Sequence, residues 1–209
     1  MALKQDEHVL FYGDSITDAG RRSKDNNNGG LGVGYPAMIA ARLAAAYPEM
    51  NLRFTNTGIS GNRAKDLLAR MDADLLAHKP TLVSVLIGIN DTWRAFDAND
   101  PTPVDAFRKD YRAMLRRIVD ELGARLVLCE PFLLHTPADR AKWRSDLNPR
   151  IDAVRELARE FHATYLPLDG LFAAAACRRE MAYWLPDGVH PSQAGHTMIA
   201  DAWIRAVTA

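Results

Sequence analysis

The chain has little cysteine and no excess of either charge. Its 209 residues include two cysteines, Cys129 and Cys177, which are too few for a disulfide framework in a chain of this size. Lysine and arginine together number 26, as do aspartate and glutamate, so the formal net charge is zero. Because nucleic-acid-binding proteins carry a basic surface, this balance predicts that nucleic acid is not a partner.

Long hydrophobic runs are also lacking. Residues 1–10, MALKQDEHVL, carry charges where a signal peptide has its apolar stretch. No segment approaches the ~18 consecutive apolar residues of a membrane span. We therefore expect a cytoplasmic protein that has no membrane partner.

Glycine is concentrated in one stretch, DNNNGGLGVGYP, at residues 25–36. Its G-x-G-x-G spacing matches neither of the glycine patterns that bind phosphate groups, and it begins well after the first predicted strand. We interpret it as a mobile surface loop near the site rather than as a phosphate-binding loop.

Strand-like and helix-like patterns alternate along the whole chain, without a linker or an internal repeat. This alternation predicts a single α/β domain over residues 1–209 with a mainly parallel sheet. Apolar spacing predicts one helix over 104–122 and another near the C-terminus. The five predicted strands are residues 8–13, 52–56, 81–87, 124–129 and 163–168.

The first predicted strand ends in a serine that could be displayed to a ligand. Residues 9–18 read VLFYGDSITD, and the apolar run stops at Gly13. Ser15 thus follows the C-terminal edge of a central strand, where open α/β sheets bind their ligands. Asp14 and Ser15 are also residue types that cap helices, so this stretch alone leaves both interpretations open. We expect Asp14 to accept backbone hydrogen bonds and shape the turn.

Three further stretches carry polar side chains to the same edge of the sheet. NTGISGN at 56–62 follows the second strand, IGIND at 87–91 follows the third, and PDGVHPS at 186–192 precedes the last helix. Because the ends of parallel strands face one crevice, we expect Gly61, Asn90, Asp187 and His190 to converge on Ser15.

These residue types fit nucleophilic attack on an ester carbonyl. A serine hydroxyl becomes a good nucleophile when an imidazole removes its proton, and a carboxylate holds that imidazole in the correct tautomer. Asp187 and His190 are three residues apart, close enough for one turn to bring them together, and Pro191 disfavours helical geometry at His190. Ser15 and Gly61 N–H groups and the Asn90 amide can stabilise the oxyanion that develops.

The stretches GDSIT, NTGISGN, IGIND and DGVHPS, in this order, resemble the four sequence blocks of the SGNH (GDSL-type) esterases and lipases. The family name records Ser, Gly, Asn and His, which match Ser15, Gly61, Asn90 and His190, with Asp187 completing the triad. The resemblance runs from residue 9 to about residue 203 and is greatest to the acetylxylan-esterase-like branch.

The resemblance implies a fold and an activity. The fold would be a flavodoxin-like three-layer α/β/α sandwich with a central, mainly parallel five-stranded sheet. The activity would be that of a serine esterase without metal or organic cofactor, and similar sugar esterases form homo-oligomers. Ile16 stands where the family name has Leu, a change that should not affect the chemistry. Gly58 is an alternative to Gly61 in the oxyanion hole, and the resemblance favours Gly61.

The substrate is predicted from two indoles and from this resemblance. Trp93 follows the Asn90 stretch and Trp184 precedes Asp187, so both could flank the cleft and stack on sugar rings. Each of them could equally be core packing. We expect short acyl esters, such as acetylated saccharides, with lysophospholipid or thioester hydrolysis as the alternative.

Three other classes of protein fit less well. An α/β-hydrolase needs G-x-S-x-G, but Thr17 stands two residues after Ser15. A metal-dependent phosphoesterase could use Asp14, Asp91, Asp187 and His190, but the histidines lack the usual ligand spacing, and His196 is expected to be a surface or packed residue. A carbohydrate-binding protein without catalysis remains the non-enzymatic alternative.

Overall fold

A computed structural model describes residues 2–25 and 27–208. Asn26, within the predicted glycine-rich loop, lies outside the described residues; after it come a 3₁₀ turn at Asn28–Gly30 and a helix that begins at Tyr35. The strands of the central sheet are β1 (His8–Gly13), β2 (Arg53–Asn56), β3 (Leu82–Leu86), β4 (Arg125–Cys129) and β5 (Thr164–Leu166).

The helices alternate with these strands and agree with the predicted pattern. The predicted helix over 104–122 is confirmed at both ends. The α-helices are α1 (Ser15–Asp18), α2 (Tyr35–Ala46), α3 (Ala64–Asp74), α4 (Ile89–Asp97), α5 (Val104–Leu122), α6 (Arg144–Glu160), α7 (Leu168–Ala176), α8 (Met181–Trp184) and α9 (Gln193–Thr208).

The last strand is shorter than its prediction. Residues 163–168 were expected to form one strand, but β5 ends at Leu166 and α7 begins at Leu168. The residue between them is Pro167, which has no N–H to donate to a sheet ladder and suits the start of a helix.

All strand pairs in the sheet are parallel, and the strand order is β2-β1-β3-β4-β5. Helices α2, α7 and α9 pack on one face, and α3, α5 and α6 pack on the other. Both faces of β1 and β3 are therefore buried, which explains why these strands read as continuous apolar runs. This is the expected flavodoxin-like three-layer sandwich, whose topological switch point lies between β1 and β3.

Candidate active site

Ser15 is the first residue of α1, which starts directly after β1. Gly13 allows this sharp turn, because a Cβ there would lie 2.4 Å from both the Leu86 carbonyl oxygen and Thr17 Oγ1. Asp14 caps the helix: its Oδ1 accepts the Ile16 N–H at 3.0 Å, which confirms the role expected for it. Burial raises the pKa of Asp14 to about 7, although that hydrogen bond opposes the shift.

The Asp187–His190 turn is built by its own hydrogen bonds. Asp187 Oδ1 accepts the N–H groups of Val189 at 3.0 Å and of His190 at 2.7 Å, and its Oδ2 lies 2.7 Å from His190 Nδ1. Gly188 has φ +85°, and a Cβ there would lie 2.5 Å from the Leu134 carbonyl oxygen. Leu134 in turn donates its N–H to the Gly188 carbonyl at 2.9 Å, which ties the turn to the segment after β4.

The structure brings the serine, histidine and aspartate together in a line. Ser15 Oγ lies 2.9 Å from His190 Nε2, and the other ring nitrogen faces Asp187. The hydrogen bond to Asp187 raises the pKa of His190 above its ordinary value of 6.5, with burial acting in the opposite direction. Burial would raise the pKa of Asp187, but hydrogen bonds from the His190 ring and from two backbone N–H groups outweigh it and hold the pKa at about 2.

Asn90 enters the same region from the first turn of α4. Its Nδ2 donates to the Asn62 carbonyl at 3.0 Å, which fixes the orientation of the amide. An amide nitrogen has two hydrogens, so the second is free to face a ligand.

The two candidate glycines differ in what their N–H groups do. The Gly58 N–H donates to Asn56 Oδ1 at 2.9 Å, and a Cβ at Gly58 would lie 2.4 Å from the Asp18 nitrogen. In the described ranges, the Gly61 N–H has no acceptor, and Gly61 adopts φ +85° with open space around it. Gly58 therefore allows α1 to pack closely against the segment after β2, whereas the Gly61 N–H remains available to a ligand.

An aromatic cluster lies beside His190. The Trp93 ring is 5.8 Å from the His190 ring and 5.2 Å from the Trp143 ring, on which Phe96 stacks at 5.5 Å. Arg140 covers both indoles, at 4.1 Å from Trp143 and 5.2 Å from Trp93. Phe96 was not predicted as a site residue, although its position three residues after Trp93 on a helix was a usable signal. Trp143 and Arg140 were not predicted either, because no local pattern connects them to the site.

The other predicted side chains are placed differently. Trp184 packs against the core and edge-on against Tyr183 at 4.9 Å, so its substrate contact stays a prediction. His196 is packed, as expected: its Nδ1 accepts the Tyr35 N–H at 3.2 Å, and burial lowers its pKa to about 4.

Among the residues that the structure describes, no three His, Cys, Asp or Glu side chains gather as a metal site requires. Within the same ranges, no helix has both the length and the apolar character to cross a membrane.

Comparison with known proteins shows the family of the chain. Residues 11–198 match the GDSL-like lipase/acylhydrolase family. The chain is 36% identical to the acetylxylan esterase of Geobacillus stearothermophilus, over 99% of this chain and 96% of the relative. It is 26% identical to the thioesterase 1/protease 1/lysophospholipase L1 of Escherichia coli K12, over 92% of this chain and 79% of the relative.

Solved structures extend the comparison to three dimensions. The crystal structure of the Geobacillus acetylxylan esterase superposes with a TM-score of 0.88 at 33% identity, covering 99% of this chain and 96% of that one. Two further structures of that esterase, with a serine-to-alanine and an aspartate-to-alanine substitution, are of catalytic mutants. The present chain therefore belongs to the GDSL-like lipase/acylhydrolase family and is a carboxylic ester hydrolase.

Proposed function

We propose that the protein is a serine esterase that removes short acyl groups, above all acetyl groups, from carbohydrates through a Ser15-His190-Asp187 triad. The observation that carries the mechanism is the pair of hydrogen-bond contacts from Ser15 to His190 and from His190 to Asp187, at 2.9 and 2.7 Å. The catalytic serine and aspartate of the acetylxylan esterase support the same two roles here.

The first half of the reaction acylates Ser15. His190 Nε2 takes the hydroxyl proton as Ser15 Oγ forms a bond to the ester carbonyl carbon, and Asp187 stabilises the resulting imidazolium. The carbonyl oxygen becomes an oxyanion, for which the Ser15 and Gly61 N–H groups and the Asn90 amide are the donors. The tetrahedral intermediate then breaks its bond to the alcohol oxygen, which leaves with the proton from His190.

The second half releases the acid. A water molecule gives its proton to His190 Nε2 and attacks the acyl carbon, and the same three donors hold the second oxyanion. Collapse of this intermediate breaks the bond to Ser15 Oγ, which recovers its proton from His190. Besides the ester and one water molecule, the cycle thus uses only groups of this chain, and it transfers no electrons.

The aromatic cluster supports a carbohydrate as the alcohol part of the ester. Trp93 lies against the catalytic histidine, and Phe96, next to it on α4, is 43% exposed. Flat aromatic faces offer a large contact area to the apolar face of a sugar ring. Trp184, three residues before Asp187, is the second predicted sugar contact. The likeness to an acetylxylan esterase over nearly the whole chain supports acetate as the acyl part.

The test compares acyl length and alcohol in one experiment. We expect p-nitrophenyl acetate and xylose tetra-acetate to be hydrolysed faster than p-nitrophenyl octanoate, and Ser15→Ala to abolish all three activities with the fold intact. Serine-dependent activity that favours octanoate would keep the mechanism but assign the protein to longer acyl chains, as the name of the Escherichia coli relative suggests. Substantial activity of Ser15→Ala would contradict the triad.

A further inference from the structure

One arginine outside the proposed triad joins two of the four site stretches, GDSIT and NTGISGN. Arg70 lies on α3, and its guanidinium donates in three directions. Nη2 reaches the Gly13 carbonyl at 3.2 Å, Nη1 the Thr57 carbonyl at 2.8 Å, and Nε the side-chain oxygen of Asn62 at 2.6 Å. A single rigid group therefore contacts the end of β1 and both ends of the glycine stretch after β2.

The guanidinium itself is held in place. Asp74, one turn further along α3, accepts from Nη1 at 2.9 Å, and the Tyr12 ring lies 4.5 Å from the guanidinium carbon. Tyr12 is fixed in turn, because its hydroxyl donates to the Leu67 carbonyl at 2.5 Å. Only 15% of the Arg70 side chain is exposed, so these contacts are little screened by solvent.

Two of the acceptors of Arg70, Gly13 and Asn62, lie next to the proposed oxyanion donors. The Gly13 carbonyl lies two residues before the Ser15 N–H. Asn62 directly follows Gly61, and the Asn62 carbonyl is the group that orients the Asn90 amide. A displacement of Asn62 would therefore move both the Gly61 backbone and the Asn90 side chain.

We propose that Arg70 is a positioning residue, which sets the distances among the three oxyanion donors without touching the substrate. This inference rests on the proposed function, since it assumes that Ser15, Gly61 and Asn90 form the oxyanion hole. Because the oxyanion exists only in the transition state and the tetrahedral intermediates, loss of this positioning lowers kcat rather than raising KM. A lysine cannot replace Arg70, because an ammonium is a single point charge and lacks the planar fork of donors.

The experiment measures kcat and KM for p-nitrophenyl acetate in Arg70→Lys and Arg70→Met. We expect kcat to fall about 10- to 100-fold in each, as for an active site misplaced by up to ~1 Å, with KM within about threefold. Asp74→Asn, which removes the charge that anchors Arg70 but leaves its three site contacts, should lower kcat less than Arg70→Met does. Arg117→Met is the control, since Arg117 is a surface arginine that pairs with exposed Asp72 and Glu121; its kcat should stay within about twofold of the wild type.

Chemical rescue separates positioning from general destabilisation. In Arg70→Ala, millimolar guanidinium should restore part of kcat, whereas ammonium at the same ionic strength should not. A folded Arg70→Lys enzyme with wild-type kcat, an equal loss of kcat in Arg117→Met, or a loss seen only in KM would overturn the inference. If Arg70→Met fails to fold, Arg70→Lys and the rescue decide the matter.

Ser15→Ala is measured in parallel to keep the two proposals distinct. An inactive Ser15→Ala enzyme beside fully active, folded Arg70 variants overturns the role of Arg70 alone. An active Ser15→Ala enzyme overturns the proposed function and the role of Arg70 with it.

Discussion

Substitution of Asp187 by asparagine should move the ring proton of neutral His190 from Nδ1 to Nε2 while keeping the turn folded. Asp187 Oδ1 accepts two backbone N–H groups, and Oδ2 faces His190 Nδ1. In Asp187→Asn the carbonyl oxygen must keep the two N–H groups, because an NH₂ group cannot accept them. The NH₂ group then faces Nδ1, which has to accept, so the ring proton moves to Nε2. That is the atom that should take the proton from Ser15.

The expected loss follows from the hydrogen bonds that change. Losing the charge-assisted bond to the imidazolium costs about 1.5–3 kcal/mol. Moving the ring proton back to Nδ1 breaks the hydrogen bond from the asparagine NH₂ group, which costs about 1–3 kcal/mol more. At 1.36 kcal/mol per tenfold, the two together correspond to about 10²- to 10⁴-fold in kcat. The His190 and Asp187 side chains are 44% and 40% exposed. Solvent screening therefore places the expected loss in the lower half of that range, about 10²- to 10³-fold.

The assay is the steady-state hydrolysis of p-nitrophenyl acetate, with the melting temperature as the control for folding. Asp187→Ala is the comparison, because it loses the two backbone bonds as well as the ring contact and should melt earlier than Asp187→Asn. The asparagine variant should melt close to the wild type and still be no more active than the alanine variant. Activity of Asp187→Asn within tenfold of the wild type would refute the reasoning.

Three further predictions concern pH, the substrate and stability. The kcat/KM should fall in acid with a midpoint above 6.5, because the bond to Asp187 raises the pKa of the His190 base; a midpoint below 6.5 would contradict this. Trp93→Ala should raise the KM for xylose tetra-acetate more than the KM for p-nitrophenyl acetate. An unchanged KM for xylose tetra-acetate in Trp184→Ala would show that the Trp184 indole only packs against the core. Gly58→Ala should lower the free energy of unfolding, measured in urea, by about 1–3 kcal/mol; wild-type stability would disprove the clash of its Cβ with the backbone of α1.

The fold could be predicted where local signals and burial agree. Helix α5 was predicted from its apolar spacing; Pro103 before its first residue and Gly123, with φ +61°, after its last explain why it begins and ends there. The central strands were recognisable because burial on both faces requires continuous apolar runs. The end of β5 was missed because its apolar pattern continues through Pro167 into Leu168, across a change from strand to helix.

The candidate site could be predicted where each part is encoded in one short stretch. Asp187 and His190 share a single turn, and Ser15 and Asn90 each follow a strand end. The residues alone did not decide between the two glycines, and only the resemblance favoured Gly61, because their difference depends on the side-chain oxygen of Asn56 accepting the Gly58 N–H.

Arg70 and Arg140 could not be predicted for a related reason. Each arginine acts on backbone or rings that lie far away in the sequence, and an isolated arginine on a helix gives no sign of such contacts. Local patterns thus locate the proposed reacting groups, whereas the side chains that position them can be identified only from contacts in the folded structure.

The most direct test of the proposed mechanism is labelling with an organophosphonate that mimics the tetrahedral intermediate. The mechanism predicts one label per chain, attached to Ser15 in the peptide map, with esterase activity lost in proportion to labelling and no labelling of Ser15→Ala. A label on another residue, or full activity retained after stoichiometric labelling of Ser15, would contradict the assignment of Ser15 as the nucleophile.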